Sequence, residues 1–167
     1  VQILDCYRRA KQGNWEKDQF LKEVSNIPGV YVPSFYTHQY DDQGILRAVI
    51  PVDGAPEVVT KRIVENLDTA YFPTEMIVPS TEIVHDRANL EVFRGCIRGC
   101  RFCQAGFSCR PVRKKSPEVL YDQARQLMEN TGFNEVTLSS LSTSDYRGLK
   151  ALTDQMLPYC EANHISL

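Results

Sequence analysis

The stretch EVFRGCIRGCRFCQAGFSCRPVR, residues 91–113, holds four of the chain's six cysteines: Cys96, Cys100, Cys103 and Cys109. Arg94, Arg98 and Arg101 are threaded among them, and Gly95 and Gly99 let the backbone curl through angles that other residues avoid. Cys96-x3-Cys100-x2-Cys103 puts three thiols on one short loop, where converging sulfurs cost little closure entropy. Such a set suits a cubane iron–sulfur cluster with three irons held by protein sulfur and the fourth open to a ligand. If Cys109 also ligates, four cysteines close the site. That would make an electron-transfer cluster or a structural zinc, although the spacing lacks the paired CxxC usual for zinc.

Working outward, Leu90-Glu91-Val92-Phe93 alternates as a strand just before this loop. Ser116-Pro117-Glu118 starts a helix with an N-cap serine, a proline at the first helical position and an acid in the first turn. Leu120, Ala124, Leu127 and Met128 keep helical spacing, and Gly132 ends the element. Glu135-Val136-Thr137-Leu138 is a second strand. Ser144 or Asp145 is the expected cap of a second helix, with Leu149, Leu152 and Met156 on its apolar face and Pro158 as its stop. A third strand begins near His164. This β-α-β-α-β order implies a parallel α/β sheet with right-handed crossovers, and chemistry in such folds collects at the carboxyl ends of strands, where the cysteine loop sits.

Upstream, residues 1–27 predict two helices broken at Gly13, with Asn14 capping the second and Cys6 buried. Two β-rich runs around Asp41-Asp42-Gln43-Gly44 predict an antiparallel hairpin within 30–52, with Pro33 at an edge or bulge. Proline-punctuated residues 51–79 predict a connector with a short helical patch at 61–67. The expected division is therefore 1–79, a small α+β region, and 80–167, the start of a β/α barrel. Both ends suggest a piece of a longer protein.

At 43% hydrophobic the chain can bury a core. Its 19 Lys+Arg against 21 Asp+Glu give no basic excess, which speaks against a general nucleic-acid or membrane footprint. No apolar run is long enough to span a bilayer. Cysteines crowded into one segment, rather than spread as a disulfide framework, favour a reducing, cytoplasmic setting. The basic run Arg110, Arg113, Lys114 and Lys115 is expected to be a solvated face.

The loop CIRGCRFC, with the aromatic Phe102 before its last cysteine, resembles the signature of the radical S-adenosylmethionine superfamily. The wider string EVFRGCIRGCRFCQAGFSCRPVRKKSPE, with IVHDR at 83–87 and LSSLSTSDY at 138–146, is similar to a branch carrying an upstream cobalamin-binding-type domain. The resemblance implies a radical-SAM-type (β/α) TIM-barrel fold, of which this chain holds an incomplete sector, and oxidoreductase-type chemistry. It implies that Cys96, Cys100 and Cys103 ligate a 4Fe-4S cluster whose fourth iron chelates S-adenosylmethionine, with Phe102 beside the adenine. Many members hold the amino group of S-adenosylmethionine with a Gly-Gly-Glu-like segment after the second strand. Here Ser139, Ser140 and Ser142 stand in that place, and hydroxyls accept from an ammonium more weakly than a carboxylate. The implied partners are a small-molecule cofactor, an electron donor such as flavodoxin or ferredoxin and, in that branch, cobalamin on a domain outside this chain.

Overall fold

In the computed structural model, which describes residues 1–167, Gln2–Gln12 (α1) and Lys17–Ser25 (α2) open the chain. Cys6 and Ala10 are buried from α1 and Val24 from α2. Asn14, the expected cap of α2, instead takes a left-handed backbone with φ 51°. It thereby serves the end of α1, a conformation that a short amide side chain tolerates. The Trp15 amide then reaches the Ala10 carbonyl at 2.9 Å. Glu16 stands at the N-cap of α2 without a side-chain cap bond.

Tyr36–Tyr40 (β1) and Leu46–Pro51 (β2) form the antiparallel hairpin, with a register irregularity at Gln39/Tyr40. Its turn is fixed by Asp41, whose Oδ1 accepts from the amides of Gln43 and Ile45, each at 2.9 Å. Gly44 supplies the positive φ, 74°. Pro33 opens a 3-10 turn, Pro33–Phe35, ahead of the hairpin instead of lying in a strand.

The chain divides into two compact units, Val1–Ile63 and Val64–Leu167, so the break falls ahead of the expected 79/80 boundary. Residues 61–67 form no helix. The connector from Val64 on is committed to tertiary partners instead. Leu67 is buried, Phe72 packs against the second unit's core, and Asp68 Oδ1 accepts from the Ser116 amide at 2.7 Å.

In the second unit the strand expected at 90–93 divides at Val92. Ala88–Glu91 (β3) pairs in parallel with a later strand, whereas Phe93–Arg94 (β4) pairs antiparallel with Arg113–Lys114 (β5). Between β4 and β5 lies the cysteine loop with a short helix, Ala105–Ser108 (α3). Pro117–Thr131 (α4) follows. Its Ser116 Oγ accepts from the Val119 amide, Pro117 sits in the first turn, and Gly132 ends it in the left-handed region.

Val136–Ser139 (β6) is the parallel partner of β3, in register Ala88↔Val136 to Glu91↔Ser139. A parallel bridge between Glu135 and Ser166 adds a third position to the same array, carried by Val136 N–H to Ser166 O at 2.8 Å. The result is a mixed α/β unit with a parallel sheet, and no barrel is closed.

Leu149–Ala162 (α5) runs through Pro158. A proline is expected to stop a helix, since it lacks a donor and crowds the preceding turn. Here it lies on the exposed side, while Leu152, Met156 and Cys160 anchor the opposite face in the core. Asp145 does not cap α5. Gly148 does, and a Cβ there would lie 2.6 Å from the Tyr146 ring. Leu90, Val92, Leu120, Leu127, Val136 and Leu152 form the centre of the core, between the sheet and the two helices. Each buried leucine of this kind contributes about 1.5–3 kcal/mol.

Candidate metal centre

Val92 is where the framework hands over to the loop. Its amide bonds Ser139 O at 3.0 Å on the parallel side, and its carbonyl accepts from the Lys115 amide at 3.1 Å on the ribbon side. The cysteine loop thus leaves the carboxyl end of β3, as the topology requires, and is pinched at its base by the β4–β5 ribbon.

Gly95, φ 95°, lies directly against the returning chain. A Cβ there would sit 2.5 Å from Cys109 O and 2.8 Å from Pro111 O. Glycine is therefore required twice at this position, by conformation and by space. Gly106 in α3 makes a similar close approach, since a Cβ there would lie 2.7 Å from Arg98 O.

The two halves of the loop differ. Cys96 is 9% exposed, and its Sγ accepts from the Arg98 amide at 3.4 Å. Cys100 is exposed, and Cys103 and Cys109 are half-buried. A tight turn, Cys103 N–H to Cys100 O at 3.0 Å, carries the last two motif cysteines. Phe102, expected beside an adenine, is 93% exposed. No three Cys, His, Asp or Glu side chains converge closely enough to hold a metal ion in this arrangement. The residues fit a cluster in kind: three thiols sit on one glycine-hinged loop, with an amide on the Cys96 sulfur and a guanidinium nearby.

Two of the three loop arginines are matched by carboxylates. Arg94 grips Glu91 with two bonds, 2.7 and 2.9 Å, which hold the Glu91 carboxyl below its usual range. Arg98 grips Asp145 across 47 positions, through Nε at 2.8 Å and Nη2 at 2.5 Å. Ser142 Oγ donates to the same carboxylate at 2.8 Å. These bonds, the arginine's first, keep the Asp145 carboxyl below its usual range. In turn Asp145 raises Arg98, and the Cys100 and Cys96 thiols act in the same direction.

The serines after β6 are engaged locally. Ser139 belongs to β6 and its carbonyl serves Val92. Ser140 Oγ and Thr143 Oγ1 share a bond of 2.8 Å, and Ser142 serves Asp145. A cavity of about 300 Å³ opens between the two segments, lined by Phe93, Ile97, Val112, Lys114, Ser142, Asp145 and Arg147.

Sequence reasoning misses two residues. It marks Asp145 only as a helix cap, although the residue lies in the LSSLSTSDY stretch that carries the family resemblance. It puts Lys115 on a solvated face, yet the side chain is 3% exposed. Lys115 Nζ donates to Gln123 Oε1 at 2.7 Å and lies 3.9 Å from the centre of the Phe72 ring. Burial lowers its pKa. The partners that claim Asp145 and enclose Lys115 are not their neighbours in the chain, so neither the cap pattern nor the charge run gives a sign of them.

A cysteine loop at the carboxyl edge of a parallel sheet, backed by two helices, defines the class as α/β with a cysteine-rich loop at the sheet edge. Residues 90–162, less than half of the chain, match the family described as the Radical SAM superfamily. The chain is also similar to the Bacillus subtilis (strain 168) protein named threonylcarbamoyladenosine tRNA methylthiotransferase MtaB. The two are 28% identical over 96 residues, covering 58% of this chain and 19% of that protein. The match thus spans about a fifth of the relative's length. No solved structure matches the chain. No helix is long and apolar enough to cross a membrane.

Proposed function

We propose that the chain is the cluster-bearing segment of a radical S-adenosylmethionine enzyme, with Cys96, Cys100 and Cys103 as the three sulfur ligands of a 4Fe-4S cluster. The observation that carries this reading is the CxxxCxxC loop leaving the carboxyl end of the first parallel strand, inside the segment that matches the superfamily. When bound, such a cluster supplies an electron to the sulfonium bond of S-adenosylmethionine, giving methionine and a 5′-deoxyadenosyl radical.

The chain's own residues supply placement. Gly95 and Gly106 let the loop fold against its return strand and α3. Arg98 brings positive charge beside two of the thiols, which favours an electron-rich cluster. Ser139, Ser140 and Ser142 offer hydroxyl acceptors near the amino group of the cofactor, and Phe102 an aromatic face for its adenine. Flavodoxin or ferredoxin is the proposed electron source, in a reducing cytoplasm. Cobalamin has no support in either match and is not part of the proposal. The tRNA chemistry in the relative's name is not carried over, because the match is short and this chain has no basic excess.

A second reading has one observation in its favour. Cys109 is half-buried, and its carbonyl faces Gly95, the neighbour of Cys96. A fourth thiolate from Cys109 would close the site and make it an electron carrier or, with zinc, a structural centre.

Anaerobic reconstitution with iron and sulfide separates the readings. The radical reading expects about four irons per chain. It expects their loss in Cys96→Ala, Cys100→Ala and Cys103→Ala, and their retention in Cys109→Ala. Loss in Cys109→Ala transfers the case to the closed site, and a colourless zinc-loaded protein removes both clusters.

A further inference from the structure

The cysteine loop is unequal along its length. Its first half is held from three sides. Gly95 lies against the Cys109 and Pro111 carbonyls, Gly106 of α3 lies against the Arg98 carbonyl, and the Arg98 guanidinium is gripped by Asp145. The second half, from Gly99 through Phe102, is exposed. Asp145 is itself fixed. Its side chain is only 15% exposed, against 60% for Arg98, and Ser142 donates to it from within the same 3-10 turn region. A two-bond guanidinium–carboxylate pair sets orientation as well as distance. Here it ties the loop after β4 to the segment after β6, two stretches of the chain that the parallel sheet brings side by side.

We propose that Asp145 is a positioning residue for the cofactor loop. Through Arg98 it fastens the Cys96 half of the loop before any metal arrives, so that Cys96 is the pre-set ligand and Cys100 and Cys103 close in on it. The role rests on the reading of this loop as the cluster-binding one. The fastening itself is a property of the metal-free chain and is tested there.

The primary measurement is the rate at which a small alkylating reagent labels each cysteine of the metal-free, reduced chain, followed by peptide mass spectrometry. A thiol behind a local contact reacts in proportion to how often that contact opens. In the unsubstituted chain Cys100 reacts fastest and Cys96 slowest of the three. In Asp145→Ala, labelling of Cys96 rises by roughly fivefold, the scale set by losing one well-oriented ion pair, while Cys100 stays at its original rate. Asp145→Glu, which keeps the carboxylate, restores part of the protection, whereas a role in folding the turn alone gives no such rescue.

If Asp145→Ala does not fold, Arg98→Ala breaks the same pair from its exposed side and decides the matter by the same readout. Unchanged Cys96 labelling in a folded Asp145→Ala or Arg98→Ala chain overturns the proposal, as does an equal rise at all three cysteines. Iron content after reconstitution is read in parallel. A chain that protects Cys96 through Asp145 but takes up no iron keeps the fastening and refutes the cluster reading. A chain that takes up iron with Cys96 labelling indifferent to Asp145 does the reverse.

Discussion

Leu120, Leu127 and Leu152 are fully buried, whereas Cys100 stands exposed and Phe102 is 93% in solvent, although the helices and the loop belong to the same compact unit. The difference lies in what each region has to bury. The α4 and α5 helices each present an apolar stripe that the sheet covers at once, so the framework is complete on its own. The loop leaves its large apolar side chains, Ile97, Phe102 and Phe107, exposed, and its ion-paired Arg98 finds its partner elsewhere in the chain. It is held by two glycine contacts and one ion pair. A framework that folds by burial and a loop proposed here to be completed by a ligand should answer mutation in opposite ways.

The largest contrast is Leu127→Ala against Cys100→Ala. Removing a fully buried leucine leaves a cavity and should lower unfolding free energy by about 2–5 kcal/mol. Removing an exposed thiol should change it by about 0.5 kcal/mol or less, while abolishing iron uptake. Urea unfolding of the metal-free chain measures the first, and iron analysis the second. Comparable losses of stability would dissolve the distinction between framework and loop.

The same contrast governs what is legible in the sequence. The framework can be read because its signals are local: Ser116, Pro117, Glu118 and Gly132 mark both ends of α4 by their own chemistry. The parallel order of β3 and β6 follows from element order. The hairpin follows from Asp41 and Gly44. What fails needs tertiary knowledge. Pro158 should stop a helix, but the burial of Met156 and Cys160 on either side carries α5 past it. Asp145 has the residue type of a cap, but a guanidinium far upstream in sequence claims its carboxylate. Lys115 closes a basic run, but Phe72 and Gln123 enclose it. At the site, the motif cysteines are visible in the sequence, while the asymmetry among them comes only with Gly95, Gly106 and Asp145 in place.

A smaller effect sharpens the comparison within the glycines. Gly132 ends α4 with φ 71° and has open space where a Cβ would go, so Gly132→Ala meets only the left-handed backbone penalty of about 1–2 kcal/mol. Gly95 has φ 95°, and its Cβ would strike two backbone oxygens that no rotamer change can move. Gly95→Ala should therefore cost more than Gly132→Ala in urea unfolding. It should also bring protease cleavage into residues 95–112, which Gly132→Ala should not. The reverse order would mean that the loop does not lie against its return strand in solution.

The smallest effect tests the one charge the framework encloses. Burial lowers the Lys115 pKa against the opposing pull of Glu91 and Asp68, with Arg94 adding to the decrease. Its folded value thus lies below the ordinary lysine value of about 10.4. Between those two values the unfolded chain holds more protons than the folded one, so stability rises with pH through that window. Below it, the penalty for burying the ammonium is present in full. Lys115→Met keeps the apolar stem and removes the titration, at the expense of the bond to Gln123. The informative quantity is the difference in unfolding free energy between the unsubstituted chain and Lys115→Met, since other titrating groups cancel in it. That difference should move in favour of lysine as pH climbs toward the ordinary lysine value of about 10.4, with urea unfolding at each step as the measurement. A flat difference would mean that Lys115 reaches water through the ribbon in solution, and the enclosed charge would then belong with the loop and not with the framework.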